Sequence, residues 1–409
     1  MQNTTYWEAG LMTTATLDRS ALKIIDADTH LSEPPDLWLK HAPAALRDRV
    51  PQIKTWNGRR SWVIDGDKPI GLGANPFSAI RKDGSKILDV DDFGPMTYDT
   101  VHEGSYSLAP RLAEMDRCGI HAQIVYPNIL GFGGQAAAKV DAGLRLACTE
   151  IYNDGTAELQ RDSGGRLFPM ALLPWWDVQG CVREVERAHA MGMKGVNINS
   201  DPHTHRDEQG ELLPDLAAPH WDPLWEVCQA LDLPINFHIG ASEQSMDWIG
   251  SQGWPSIHHA IRGALSGSML FFNNGRVMAN IIFSGLLDRF PKLKFVSVES
   301  GIGWIPFLLE SLDWQFYGMA GNHARELQLK PSEYFARNFY GCFWFENWDI
   351  SATIQKVGVD NCMFETDFPH PTCLFPVDDV EARLGGLTVE DRAKVLSGNA
   401  ARVYDIALT

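Results

Sequence analysis

The stretch Ile24-Ile25-Asp26-Ala27-Asp28-Thr29-His30-Leu31-Ser32-Glu33-Pro34 decides how the rest of the chain is read. It begins inside a short apolar run, Leu22–Ala27, and ends in an acid, an imidazole and a turn. Residues two apart on a strand point the same way, so Asp28 and His30 are placed to share one cation. Glu33 lies in the turn beyond and is positioned to fold back over the same point. A D-x-H triplet is common by itself. Its place at the end of an apolar run gives it weight.

Seven further apolar runs follow. They are HAQIVYP (121–127), RLFPMALLP (166–174), KGVNINS (194–200), LPINFHIG (233–240), LKFVSVES (293–300), NFYGCFWFE (338–346) and DNCMFETDF (360–368). Helical patterns separate them, at SLAPRLAEMDRC (107–118) before Gly119, 141–162, 177–191 before Gly192, 220–232 and about 274–290. The tail from Leu387 reads as a last helix with Thr388 as its N-cap. Alternation of this kind requires a parallel α/β fold. Asp28, His30, Asn199, His238, Glu299, Glu346 and Asp367 all stand where an apolar run ends. A barrel gathers its strand C-termini at one mouth, whereas an open doubly wound sheet spreads them out. The expected fold is therefore a (β/α)8 TIM barrel over residues 21–409, after an N-terminal extension, 1–20.

Two stretches exceed the repeat. Residues 31–107 hold a β-hairpin pattern, SWVIDGDKPIG, that turns at Asp65–Gly66, and residues 241–272 read as a helical insertion directly after His238. Both leave from the expected catalytic face as lids, partner surfaces or packing additions. The net charge of −17 excludes a surface built for nucleic acid or anionic membrane. No apolar run is long enough to span a bilayer, and the N-terminus lacks the pattern of a signal peptide. Seven scattered Cys without a CxxC pair predict buried thiols in a reducing cytoplasm.

His238, Glu299 and Asp367 each have an ordinary reading as a core histidine, a strand-end acid or a helix cap. Together with Asp28 and His30 they place acids or imidazoles at the ends of four strands, and buried carboxylates are costly unless paired or metal-bound. Asp28, His30, His238 and Asp367 are the expected metal ligands, with Glu33 as a further one. Glu299 and His370 are the expected catalytic groups. His258, His259, Glu346 and Trp176 are the expected substrate contacts. His203 and His205 have ligand-like spacing but lie in a polar loop.

These residues carry a resemblance. IIDADTHLSEPPDLW, HWDPLWEVCQALDLPINFHIG, IIFSGLLDRFPKLKFVSVESGIGWIPFLLE, FETDFPHP and GNAARVY, in this order, are similar to the amidohydrolase-related branch of the amidohydrolase superfamily. That group includes the aminocarboxymuconate-semialdehyde decarboxylase-like proteins. The resemblance implies the same four ligands, Asp28, His30, His238 and Asp367. The chain departs from the decarboxylase pattern in two places: Asp28 opens the first-strand pair, and Glu299 stands where a catalytic histidine is usual.

Two imidazoles and two carboxylates suit Zn, Mn or Fe. The expected activity is metal-dependent hydrolysis or non-oxidative decarboxylation of a small to medium organic acid or amide. Adding Glu33 and Glu299 as ligands gives the alternative, a dinuclear Fe or Mn/Fe oxygenase hydroxylating a C–H bond. A second alternative is a non-catalytic partner subunit. The resemblance also implies a homo-oligomer, or a hetero-oligomer with a related chain, around a small-molecule substrate.

Overall fold

The computed structural model describes residues 23–247, 253–377 and 380–408. The expected extension, 1–20, and part of the 241–272 segment lie outside the described residues. Strand β1 is Ile24–His30, and β2 (Gln52–Trp56), β3 (Arg59–Ile64) and β4 (Lys68–Pro69) follow it. The parallel strands continue with β5 (Ile120–Tyr126), β6 (Leu167–Pro169), β7 (Ala171–Leu172) and β8 (Val196–Asn197). They end with β9 (Ile235–His238), β10 (Phe295–Val298), β11 (Phe339–Phe343) and β12 (Cys362–Phe364).

One parallel sheet runs β1-β5-β6 and a second runs β12-β11-β10-β9-β8-β7. Hydrogen bonds link the two groups at both ends. Met170, between β6 and β7, donates to Val125 of β5 at 2.9 Å, and the next residue, Ala171, donates to Gly195 at 3.0 Å. At the other end His30 donates to Phe368 at 2.7 Å and Asp367 donates to Asp28 at 2.9 Å. The fold is thus α/β with parallel strands.

Most of the parallel strands are buried on both faces, as their near-continuous apolar runs require. Alternate residues form one interior cluster: Ile25 and Ala27 of β1, Ala122, Ile124 and Tyr126 of β5, Val296 and Val298 of β10, and Tyr340 and Cys342 of β11. The opposite faces pack under the helices. Helices α1 (Leu37–His41), α2 (Leu108–Cys118), α3 (Ala142–Asp162), α4 (Val178–Ala190), α5 (Asp222–Ala230), α6 (His259–Phe283) and α7 (Ile305–Met319) supply most of that layer.

The outer core is aromatic, with Phe295 stacked on Phe339 at 5.5 Å and Trp225 against Phe295 at 6.1 Å. Phe295 is fully buried. Its replacement by alanine opens a cavity no neighbour can fill, and the expected cost is about 3–5 kcal/mol. Urea unfolding reads this as a lower midpoint at constant slope; an unchanged midpoint contradicts the packing described.

The hairpin pattern forms an antiparallel sheet, β2-β3-β4, and its turn uses Asp65 (φ 54°) and Gly66 (φ 88°). The helix expected at 274–290 instead spans His259–Phe283, followed by a short turn of helix at Leu286–Arg289. The segment after His238 therefore runs into the crossover helix without a boundary at 272. Leu270, Asn273 and Asn274 are buried in the same helix, and Asn274 bridges β9 and β10 by donating to Phe237 O and Val298 O.

Candidate metal centre

Two overlapping groups of donors meet where β1, β9, β10 and β12 end. Asp28, His30, His238 and Glu299 each offer one atom within 4.8 Å of the others, and so do His30, Glu299, Asp367 and His370. All six are buried.

Strand alternation explains the first pair, since Asp28 and His30 leave β1 on one side. His238 is the last residue of β9. Its Nδ1 lies 2.8 Å from the Ile239 carbonyl, so that nitrogen carries the proton and Nε2 turns its lone pair inward. Nε2 lies 3.1 Å from His30 Nε2, 3.2 Å from Glu299 Oε2 and 3.7 Å from Asp28 Oδ1. His30 Nε2 lies 3.6 Å from Asp28 Oδ1 and 3.7 Å from Asp367 Oδ1.

Glu299 and Asp367 follow their strands in left-handed backbone, at φ 54° and 57°. Such geometry at a non-glycine residue costs about 1–3 kcal/mol and clusters at functional sites. Here both strained residues carry carboxylates into one point. The Thr372 hydroxyl donates to Asp367 and, at 3.4 Å, to Glu299.

Both Asp28 oxygens, Glu299 Oε2 and Asp367 Oδ1 are buried without a hydrogen-bond donor. Burial pushes the carboxyls of Asp28 and Glu299 above their ordinary range, and nearby Asp367 and Asp28 push Glu299 further. Burial holds the His30 imidazole well below its usual value, with His370 and His238 adding to the effect. These groups repel as anions and leave lone pairs unmatched, and a divalent cation answers both needs. The donor set fits such an ion.

Glu33 stands apart from both donor groups. Its Oε1 accepts from the backbone N–H of Asn128 at 2.9 Å and of Ile129 at 3.1 Å. The turn after β1 thus points it at the loop after β5. Burial pushes its carboxyl up to about 7 from an ordinary 4.5. Between those values the folded chain holds a proton that the unfolded chain has released, so metal-free stability falls as pH rises. Above about pH 7 the full penalty, roughly 3 kcal/mol, applies. Glu33→Gln removes this contribution, and melting curves of metal-free protein from pH 5 to 8 should show a flatter decline for the variant than for wild type. Parallel declines count against the assignment.

The expected substrate contacts have other partners. His259 pairs with Asp91 at 3.0 Å on the exposed surface, and His258 caps α6 by accepting from Ala260 N–H. Glu346 Oε1 accepts from Ile302 N–H at 2.6 Å and Gly303 N–H at 3.3 Å, which fixes the entry to α7. Trp176 carries the Arg145 guanidinium 4.5 Å above its ring. His370 does join the centre, stacked on His30 with ring centroids 3.7 Å apart and its Nδ1 3.1 Å from Asp367 Oδ1.

Other residues of the site were not singled out in the sequence. Glu365 is fully buried, accepts from Glu299 N–H at 3.3 Å, and is driven well above the carboxylate range by burial and by Asp28. Asp26 ties β1 to β12 by accepting from Thr366 N–H at 2.8 Å and its hydroxyl at 2.7 Å. Buried Arg111 donates to the His30 carbonyl and, at 3.0 Å, to Gln123. Phe132 stands 4.3 Å from the His238 ring and 5.2 Å from His30, and Phe77 stands 6.3 Å from His370, which gives the centre aromatic walls.

Residues 25–406 match the family model described as Amidohydrolase, and the chain belongs to that family. A relative by sequence is the gamma-resorcylate decarboxylase of Polaromonas sp. strain JS666. It is 26% identical over 310 residues, covering 72% of this chain and 86% of that protein. An amidohydrolase from Mycobacterium avium subsp. paratuberculosis K-10 superposes with a TM-score of 0.72 at 22% identity, covering 96% of this chain and all of that one. The dihydroxybenzoic acid decarboxylase of Polaromonas sp. JS666, solved with manganese and the inhibitor 2-nitroresorcinol, superposes with a TM-score of 0.57. It is 19% identical, and the match covers 94% of this chain and 97% of that one. Among the described residues, no helix is long and apolar enough to cross a membrane.

Proposed function

We propose that this chain is a divalent-metal-dependent decarboxylase of an aromatic acid, built on a closed eight-stranded parallel barrel. The backbone links β5–β6–β7–β8 and β12–β1, together with the interior cluster shared by both sheets, support closure. The observation that carries the chemistry is the convergence of unpaired buried donors from four strands between aromatic walls. The decarboxylase relative over most of the chain supports the reaction class.

Asp28, His30, His238 and Asp367 would hold the ion. Once bound there, the ion would supply positive charge that offsets the negative charge of an acid substrate. Phe132, Phe77 and His370 then confine a planar ring and exclude water. Glu299, buried beside the donor atoms, would donate its proton to the ring carbon that bears the carboxylate. The bond from that carbon to the carboxylate breaks, its electron pair restores the ring, and CO2 leaves. Solvent returns one proton to Glu299 per turnover.

The test is a panel of hydroxylated benzoic acids and their amides with Mn- or Zn-loaded protein. The expected result is CO2 released in equal amount to the decarboxylated arene, with or without O2. Amide hydrolysis without CO2, or an oxygen-dependent hydroxylated product, overturns the reading. The relatives lend no support to oxygenase chemistry, and Glu33 is engaged elsewhere. The two donor groups share His30 and Glu299, and one imidazole nitrogen binds one ion, so they support a single centre. Elemental analysis decides between one metal per chain and two.

A further inference from the structure

Glu33 is a buried carboxylate that the proposed reaction does not use, yet it is connected to the centre. It lines a cavity of about 200 Å³ with Leu37 of α1 and Tyr152 and Thr156 of α3, and none of the six donor residues lines that cavity. The Tyr98 hydroxyl donates to its carbonyl at 2.8 Å. Its Oε1 takes two consecutive N–H groups, those of Asn128 and Ile129, at the point where the chain leaves β5. Asn128 in turn places Oδ1 2.8 Å from His370 Nε2. An amide oxygen only accepts, so His370 carries a proton on Nε2, and its Nδ1 lies 3.1 Å from Asp367 Oδ1.

We propose that Glu33 is a positioning residue for the metal centre: by capping the Asn128 and Ile129 amides it fixes Asn128, which sets the tautomer and orientation of His370 beside Asp367. Every link in this array is buried. Turning the Glu33 carboxylate away would leave the Asn128 and Ile129 N–H groups without their acceptor, which is costly inside the protein. The proposal rests on the metal-centre reading above and adds a residue to it that binds neither metal nor substrate. What the array needs from Glu33 is an acceptor, not a charge. Glutamine at this position keeps an acceptor oxygen; alanine does not.

The experiment combines kinetics of Mn-saturated enzyme with 15N spectra of His370 in metal-free protein. Glu33→Ala and Asn128→Ala should each lower kcat by roughly 10- to 100-fold, the range for partners that orient ligands, with KM within about threefold. The double variant should be no slower than Asn128→Ala, because both changes break one array. Glu33→Gln should stay within about threefold of wild type. The spectra should show Nε2-protonated His370 in wild type and Glu33→Gln, and a tautomer mixture in both alanine variants. Losses that multiply in the double variant, a Glu33→Ala enzyme with wild-type kcat, or an unchanged tautomer in Asn128→Ala overturns the proposal. If Glu33→Ala does not fold, Asn128→Ala and its spectra still decide. If no acid is decarboxylated by wild type, the functional reading fails while the tautomer measurement stands on its own.

Discussion

Asp28→Asn is expected to abolish turnover and, in the same protein, to raise the stability of the metal-free form. The two effects have one cause. Asp28 is fully buried, both its oxygens lack a donor, and Asp367 and Glu299 lie close by. With a divalent ion bound, that carboxylate would be a ligand on the proposed reading, and an amide in its place removes a negative charge from the donor set. The expected loss in kcat/KM is about 10³-fold or more, given that the ion contributes several kcal/mol of charge stabilisation. Without the ion the same carboxylate is desolvated beside Asp367 with both oxygens lacking a donor, and replacing it by the amide should stabilise by about 1–3 kcal/mol. Elemental analysis, steady-state rates and chemical unfolding of chelated protein measure the three quantities. A variant that keeps full metal content and activity, or is less stable than wild type when metal-free, contradicts the ligand assignment.

Glu299→Gln separates proton delivery from metal binding. The side chains are nearly isosteric, so packing against Thr372 and the φ of 54° are retained. Glutamine has no acidic proton to give. The expected result is a fall in kcat of about 10²- to 10⁴-fold, the usual contribution of a general acid, with KM and metal content close to wild type. Glu299→Asp withdraws the acid by one methylene and should fall between the two. If Glu299→Gln loses the metal instead, the residue is a ligand and the proton must come from elsewhere.

Much of this centre was legible in the sequence because strand geometry converts position into direction. Asp28, His30, His238, Glu299 and Asp367 each close an apolar run, and the fold brings such ends together. Glu365 was passed over: it stands just past β12, where the left-handed turn at Asp367, not strand alternation, sets the direction of the side chains. Glu33 was misplaced for a different reason. Its direction depends on the conformation of Asn128 and Ile129, about 95 residues away, and no local pattern encodes that. The single helix α6 was read as two pieces, a helical insertion to 272 and a helix from about 274, and Gly263, Ser266, Gly267 and Ser268 weaken helix propensity in its first half. Tertiary packing of Leu270 and Asn274 outweighs that local preference.

The seam between β1 and β12 has a consequence for how the protein is made. Asp26 and Thr366 are partners separated by 340 residues, and Asp367 N–H is held by the Asp28 carbonyl beside it. During synthesis the first strand leaves the ribosome on the order of 20–70 s before its neighbour does, at about 5–20 residues per second. Throughout that interval Asp28 and His30 have no Asp367 to share an ion with, and the edge of β1 is open to strangers. A chain that stops short of its last strand therefore keeps an unpaired edge and an incomplete ligand set. On the proposed ligand set, capture of the ion therefore awaits the last strand.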